Sequence, residues 1–137
     1  MITPTSIHSV INLSGKSGEK ATKILDTYDL IAMRPDPKQN KQETIYEQVF
    51  TKGDGDIISL DLSQRLDFYF QKTWIKFALA KKIAIEVVYG PGCFEPKPGI
   101  DSASKQRRQF MMNTMQIVKL AKGKSIVLSS EASSILY

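Results

Sequence analysis

Apolar residues fall in short runs along this chain, and the runs alternate with segments of helical spacing. Ile7–Leu13 reads as a weak first strand, and Gly18–Leu25 as a short helix with Ala21, Ile24 and Leu25 on one side. Leu30-Ile31-Ala32-Met33 reads as a buried strand. Arg34-Pro35-Asp36-Pro37 stops it, because proline withholds the N–H that a sheet ladder needs. Gln42–Phe50 carries Ile45, Tyr46, Val49 and Phe50 at helical spacing, and Gly53-Asp54-Gly55 is a turn. Ile57–Asp61 is the next strand and Thr73–Lys81 the next helix, with Trp74, Phe77 and Ala78 as its apolar residues. Ile83–Tyr89 is a further strand, and Ile126-Val127-Leu128-Ser129 the last.

The longest helix is expected over about Ser102–Lys122. At 100° per residue, Phe110, Met111, Thr114, Met115, Ile117, Val118 and Ala121 fill one broad arc, the expected core face. Lys105, Arg108, Gln109, Gln116 and Lys119 fill the opposite arc, the expected solvent face. Arg107 is expected on the core side, projecting over the strand ends.

The order is strand–helix, repeated to about five strands, which predicts a parallel sheet with right-handed crossovers. A piece of a (β/α) barrel and a small doubly wound sheet both satisfy this pattern. The 137 residues are the size of one α/β domain. There is no internal repeat and no low-complexity segment, and the two polar loops are Asp36–Gln42 and Gly90–Ser104.

Hydrophobic residues at 42% and charged residues at 24% allow an ordinary globular core. No run of about 18 apolar residues is present, and no basic-then-apolar leader begins the sequence, so neither a membrane span nor a secretory signal is expected. Cys93 is the only cysteine; it excludes an internal disulfide and reads as an inert loop thiol in a reducing, intracellular setting. The net charge of +5 and a pI near 9.3 favour a polyanionic partner.

Most catalytic chemistries fail on residue supply. Gly15-Lys16-Ser17 invites a phosphate-loop reading, but the glycine required five positions earlier is Val10. His8 is the only histidine, so neither a His-based metal site nor a Ser-His-Asp triad can be assembled around it convincingly. Asp54 and Asp56 are explained by turn chemistry, and Asp61 is the remaining candidate for a hard cation. Glu86 is a carboxylate in the middle of an apolar strand, where an unpaired charge is costly, so a Lys or Arg partner is expected.

The cationic cluster carries the clearest chemistry. Arg107 and Arg108 are expected near the first turn of the long helix, where unpaired N–H groups and the positive end of the macrodipole favour an anion. Two guanidinium forks there suit a phosphate. Lys105 and Lys119 share the solvent stripe with Arg108, while Lys122 and Lys124 flank Gly123 at the far end, where positive charge is favourable in itself. A purely solvated basic face is the alternative.

Several segments in order resemble one family. They are Leu66-x-Phe68-x-Phe70, Glu86-Val87-Val88-Tyr89, Arg107-Arg108, and Lys122-Gly123-Lys124 followed by Ile126-Val127-Leu128-Ser129-Ser130. Together they resemble the central block of the thirty-kilodalton protein subunit of eukaryotic and archaeal ribonuclease P. Tyr28–Pro35 and Asp56–Leu60 extend the resemblance backwards. It implies a TIM-barrel-like α/β fold, present here as a partial parallel sheet incomplete at both ends, hence a fragment or shortened form of the family's barrel. It implies a subunit that is not itself catalytic, holds no metal or cofactor, and supports RNA-based cleavage of precursor-tRNA 5′ leaders. The partners implied are ribonuclease P RNA, ribonuclease MRP RNA with its role in rRNA processing, and other protein subunits, especially a small ferredoxin-like one. Precursor tRNA is an indirect partner, and the location implied is the nucleus and nucleolus. Lys105, Arg107, Arg108, Lys119, Lys122 and Lys124 are the expected RNA contacts. A metal-dependent phosphoesterase fragment and a protein-only scaffold are the other two readings.

Overall fold

Four short strands lie side by side in the order in which the chain makes them. They are β1 (Ala32–Met33), β2 (Ile57–Asp61), β3 (Ala84–Val88) and β4 (Ile126–Ser129), and each neighbouring pair is parallel. Helices α1 (Gln42–Lys52), α2 (Lys72–Ala80) and α4 (Ala103–Ala121) provide the three crossovers. A single helical turn, α3 (Gly90–Cys93), leads the chain out of β3. The structure is a computed structural model and describes residues 27–35, 40–93 and 103–131. The strand expected at Ile7–Leu13, the helix expected at Gly18–Leu25 and most of the Gly90–Ser104 loop lie outside the described residues.

Strand order decides between the two closures that the sequence pattern left open. A doubly wound sheet reverses direction at a switch point and carries helices on both faces. Here the order never reverses. Right-handed crossovers then put all three helices on one face, and α1 touches α2 while α2 touches α4. The chain is therefore α/β with a singly wound, TIM-barrel-like sheet, and the described strands number half of a closed eight-stranded barrel.

Register sorts the strand residues into two faces. Met33, Ile58 and Ile85 align across the first three strands, as do Leu60 and Val87 across the middle two. All five are buried in the core beneath the helices. The opposite face carries Ser59 and Glu86, which align with each other and with Val127. Arg34 follows β1 directly and lies over this second face, donating from Nε and Nη2 to Ser59 Oγ at 3.3 and 2.8 Å.

Aromatic rings fill the space between α1, α2 and the loop that joins β2 to α2. Tyr46 and Phe50 from α1 meet Phe68 and Phe70 from the loop and Trp74 from α2, with ring centroids 4.9 to 6.4 Å apart. Offset and edge-on contacts of this kind add to simple area burial. They also fix a connection that would otherwise be an open loop.

Two expectations about buried faces are corrected. On α2 the buried residues are Trp74, Ile75 and Ala78, and Phe77 is exposed. On α4 the buried residues are Gln106, Phe110, Asn113, Ile117 and Ala121, so the core face is rotated away from the methionines. Met111 and Met115 are 55% and 52% exposed, and Val118 is exposed as well. The cause is backbone satisfaction. Asn113 donates from Nδ2 to the carbonyls of Leu62 and Gln64, both at 2.9 Å, and Gln106 donates to the Pro91 carbonyl. Carbonyls of the β2–α2 connection and of α3 that turn inward need donors, and two amides on the core face supply them at the expense of thioethers.

Candidate nucleic-acid interface

The surface that carries the chemistry is built on α4 and the loops at its N-terminal end. Between Ala103 and Lys124 the sequence holds six cations, Lys105, Arg107, Arg108, Lys119, Lys122 and Lys124, and no Asp or Glu. The first turn of α4 likewise contains no acidic residue, which is where a carboxylate would offset the macrodipole. Nothing on the helix itself therefore neutralises its positive charge.

Geometry divides the six cations into three groups. Lys105, Arg108 and Lys119 are exposed and fall within about 60° of one another on the helix wheel, along about 21 Å of helix. Met112 lies on the same stripe, 61% exposed. Arg107 sits to one side. It was expected on the core side, but it is exposed, and its Nε donates to the Cys93 carbonyl at 3.2 Å. It thereby joins the second turn of α4 to the end of α3. The helix begins at Ala103, within one residue of the expected start, and from there both arginines count into its second turn rather than its first, where the dipole's influence has largely faded.

Lys122 and Lys124 form the third group, at the opposite end of the molecule. There the chain turns from α4 into β4 through left-handed residues Lys122 (φ 53°) and Gly123 (φ 70°), and Gly123 N–H closes on the Val118 carbonyl at 3.1 Å. This is a helix C-cap of the Schellman kind, and its lysines complement the helix end. They stand at the N-terminal edge of the sheet, about 20 Å along the helix from Arg107. The six candidates therefore do not form one cluster.

The loop from β2 to α2 runs beside the basic stripe. Its two ends are tied to α4, by Asn113 at Leu62 and Gln64 and by Gln116 Oε1, which accepts the Phe70 N–H at 3.4 Å. Arg65 and Tyr69 are exposed on this connection, and Lys72 is exposed where it enters α2. Sequence reasoning passed over Tyr69. The signal available was an aromatic residue out of phase with Phe68 and Phe70 in an alternating segment.

The open face of the sheet holds a second polar arrangement at the C-terminal edge of the strands. Arg34 Nη2 lies 2.8 Å from Glu131 Oε1, both partly buried, so residues beyond the two outermost described strands are joined across the sheet. Asp61 Oδ1 accepts from the Ser63 N–H at 3.0 Å and from its hydroxyl. That capping role occupies Asp61 with its own loop. Glu86 was expected to have a basic partner, yet among the described residues it has no hydrogen bond or ion pair; it is only half-buried, so water reaches it. Among the described residues no three His, Cys, Asp or Glu side chains converge on a point where a metal ion would fit, and His8 lies outside them. No described helix is long and apolar enough to cross a membrane.

A singly wound parallel sheet with its helices on one face defines the class of TIM-barrel-like α/β domains. Comparison with known proteins gives that class a family: the RNase P subunit p30 family matches residues 10–137, and the chain belongs to it. A mouse protein named Ribonuclease P protein subunit p30 is 28% identical over 105 residues, covering 77% of this chain and 34% of its own length. A Schizosaccharomyces pombe protein named Probable ribonuclease P protein subunit 3 is 28% identical over 128 residues, covering 91% of this chain and 49% of its own. Arabidopsis thaliana Protein GAMETOPHYTE DEFECTIVE 1 is 26% identical over 133 residues, covering 97% of this chain and 21% of its own. The chain thus spans from about a fifth to about half of the length of these relatives.

Proposed function

We propose that this chain serves as a non-catalytic, RNA-binding protein component of ribonuclease P, supporting removal of 5′ leaders from precursor tRNA. The observation that carries the reading is α4, a long helix with no carboxylate whose Lys105, Arg108 and Lys119 form one exposed stripe. Such a stripe follows a phosphate backbone and takes affinity from the release of counterions. Family membership and the names of the mouse and fission-yeast relatives supply the particle. On this reading the partners are the catalytic RNA and neighbouring protein subunits, a small ferredoxin-like one among them, and precursor tRNA is met indirectly. Sharing with ribonuclease MRP, a part in rRNA processing, and a nuclear and nucleolar location belong to the same proposal.

The test is affinity purification of the chain from its cells, together with a salt titration of RNA binding, with wild type compared to an Arg108→Ala, Lys119→Ala double variant. Wild type is expected to bring down one RNA and precursor-tRNA cleavage activity, and the double variant less of both. Losing two phosphate contacts lowers the slope of log affinity against log salt by about 1.4 to 1.8. Recovery without RNA or cleavage activity, or an unchanged slope in the double variant, overturns the reading.

A further inference from the structure

Tyr69 is the most exposed of the large apolar side chains among the described residues, at 82%, although it stands between two buried phenylalanines. We propose that Tyr69 is a stacking platform for an unpaired RNA base, on a strand whose phosphates run along the Lys105–Arg108–Lys119 stripe. The inference rests on the RNA-binding reading above and names the form of RNA that the surface takes.

Presentation is the first argument. A single exposed tyrosine needs no explanation in general. Tyr69, however, is not on a free loop. Phe68 and Phe70 pack 5.4 Å apart in the aromatic cluster with Tyr46, Phe50 and Trp74, so the backbone on both sides of Tyr69 is anchored. Anchoring removes most of the ordering cost that a mobile ring incurs when it binds. The alternation Phe68-in, Tyr69-out, Phe70-in leaves the tyrosine with nowhere to bury itself.

Position is the second argument. The Phe70 N–H donates to Gln116 Oε1, and Gln116 lies about 60° round the helix from Lys119. The backbone that carries Tyr69 is therefore held beside the helix that bears the stripe, with Arg65 exposed on the same connection and Lys72 exposed at the start of α2. Between Arg65 and Lys72 the only acidic residue is Asp67. Base faces stacked on an aromatic ring while cations follow the backbone are how proteins bind single-stranded nucleic acid without reading its sequence. In a duplex the bases are already stacked and offer no face, so the surface takes a single strand or a loop. An apolar protein partner fits less well, because lysine is depleted from the cores of protein interfaces and here cations make up most of the stripe.

The experiment measures fluorescence anisotropy of a labelled single-stranded oligoadenylate of about 12 nucleotides and of a matched blunt duplex. Each is titrated with the full chain as wild type, Y69A, Y69F, Y69L, and a K105A/R108A/K119A triple variant. Y69A and Y69L are expected to bind the single strand about 5- to 150-fold more weakly with an unchanged salt slope, and Y69F within about twofold of wild type. The triple variant is expected to lose about 2 from the salt slope. Y69L keeps the apolar bulk, so it carries the comparison even where Y69A proves less stable. Normal binding by Y69A and Y69L, with a reduced slope in the triple variant, overturns the stacking inference and leaves the RNA-binding reading standing. Equal affinity for single strand and duplex also overturns the stacking inference alone. No binding by wild type, or an unchanged slope in the triple variant, overturns both. Unchanged RNA affinity with loss of co-purifying protein subunits in Y69A reassigns Tyr69 to a protein contact and overturns the inference.

Discussion

The side-chain amide of Asn113, buried on α4, donates to the carbonyl of Leu62 at 2.9 Å, 51 positions earlier in the chain. The same nitrogen donates to the Gln64 carbonyl. These bonds hold the β2–α2 connection against α4 and so fix where Arg65 and Tyr69 stand relative to the basic stripe. Replacing Asn113 with Leu, a side chain of similar size, strands two inward-facing carbonyls. The expected cost is about 2 kcal/mol, since each unsatisfied buried group forfeits its desolvation penalty. Urea denaturation measures it. Amide exchange across 62–70 is expected to quicken more than exchange in β3.

How much of this was legible beforehand can be read from that same helix. Its limits, its basic residues and the strands on either side follow from apolar runs and punctuation, and Ile57–Asp61 agrees with β2 to the residue. Its rotation did not follow. Asn113 and Gln106 look like solvent residues in a sequence, and the carbonyls that draw them inward, in α3 and the β2–α2 connection, lie 15 to 51 positions away. Met111 and Met115 look like core for the same reason in reverse. Periodicity alone left the closure of the sheet open, because it defines strands and not the order in which they pair; the family resemblance pointed to the barrel type, and the unreversed strand order agrees with it. For the candidate site, the cations and their division into a stripe, a separate Arg107 and a far lysine pair were legible on the helix wheel, but the exposure of Arg107 was not, because the Cys93 carbonyl that holds it lies 14 positions earlier. Tyr69 became visible only once Phe68 and Phe70 were seen to be buried.

The Arg34–Glu131 pair predicts a coupling between the outermost described strands. Arg34 Nη2 lies over Ser59 on β2, while β4 is two strands further, about 10 Å on a flat sheet. The two long side chains together span that distance, with Glu131, two residues past β4, in a left-handed conformation (φ 46°). A cycle of R34M, E131Q and the double variant is expected to give about 1 kcal/mol of coupling, the upper range for a pair that keeps some solvent access. Raising salt to 1 M reduces it, as screening then acts over about 3 Å. Denaturant melts of the four proteins at two salt concentrations provide the measurement.

Gly53 predicts a steric limit where α1 hands over to β2. A Cβ at this position would overlap the Val49 carbonyl and the Met33 thioether. Met33 is flexible, but the carbonyl belongs to the last turns of α1 and cannot retreat without breaking them. Gly53→Ala is expected to destabilise the chain by about 1 to 3 kcal/mol, the usual cost of overpacking. Adding Met33→Ala relieves only the thioether overlap, so the double variant stays below the Met33→Ala protein. Thermal melts of the three variants test this. Equal stability of Met33→Ala and the double variant would show that the carbonyl yields.

Leu128 predicts a contrast along a single row of the sheet. It aligns with Val87 on β3, which aligns with Leu60 on β2, and those two are fully buried while Leu128 is 66% exposed. The described helical layer ends with α4, and no described helix covers Leu128. Leu60→Ala removes buried methyl groups and leaves a cavity, and is expected to cost about 2 to 5 kcal/mol. Leu128→Lys in the same chain is expected to change stability by less than about 0.5 kcal/mol, since an exposed position has little to lose. Urea midpoints of the two variants settle the contrast. A large loss for Leu128→Lys would mean that the β4 edge is covered in solution, and the register of the row would then have to be read with that cover in place.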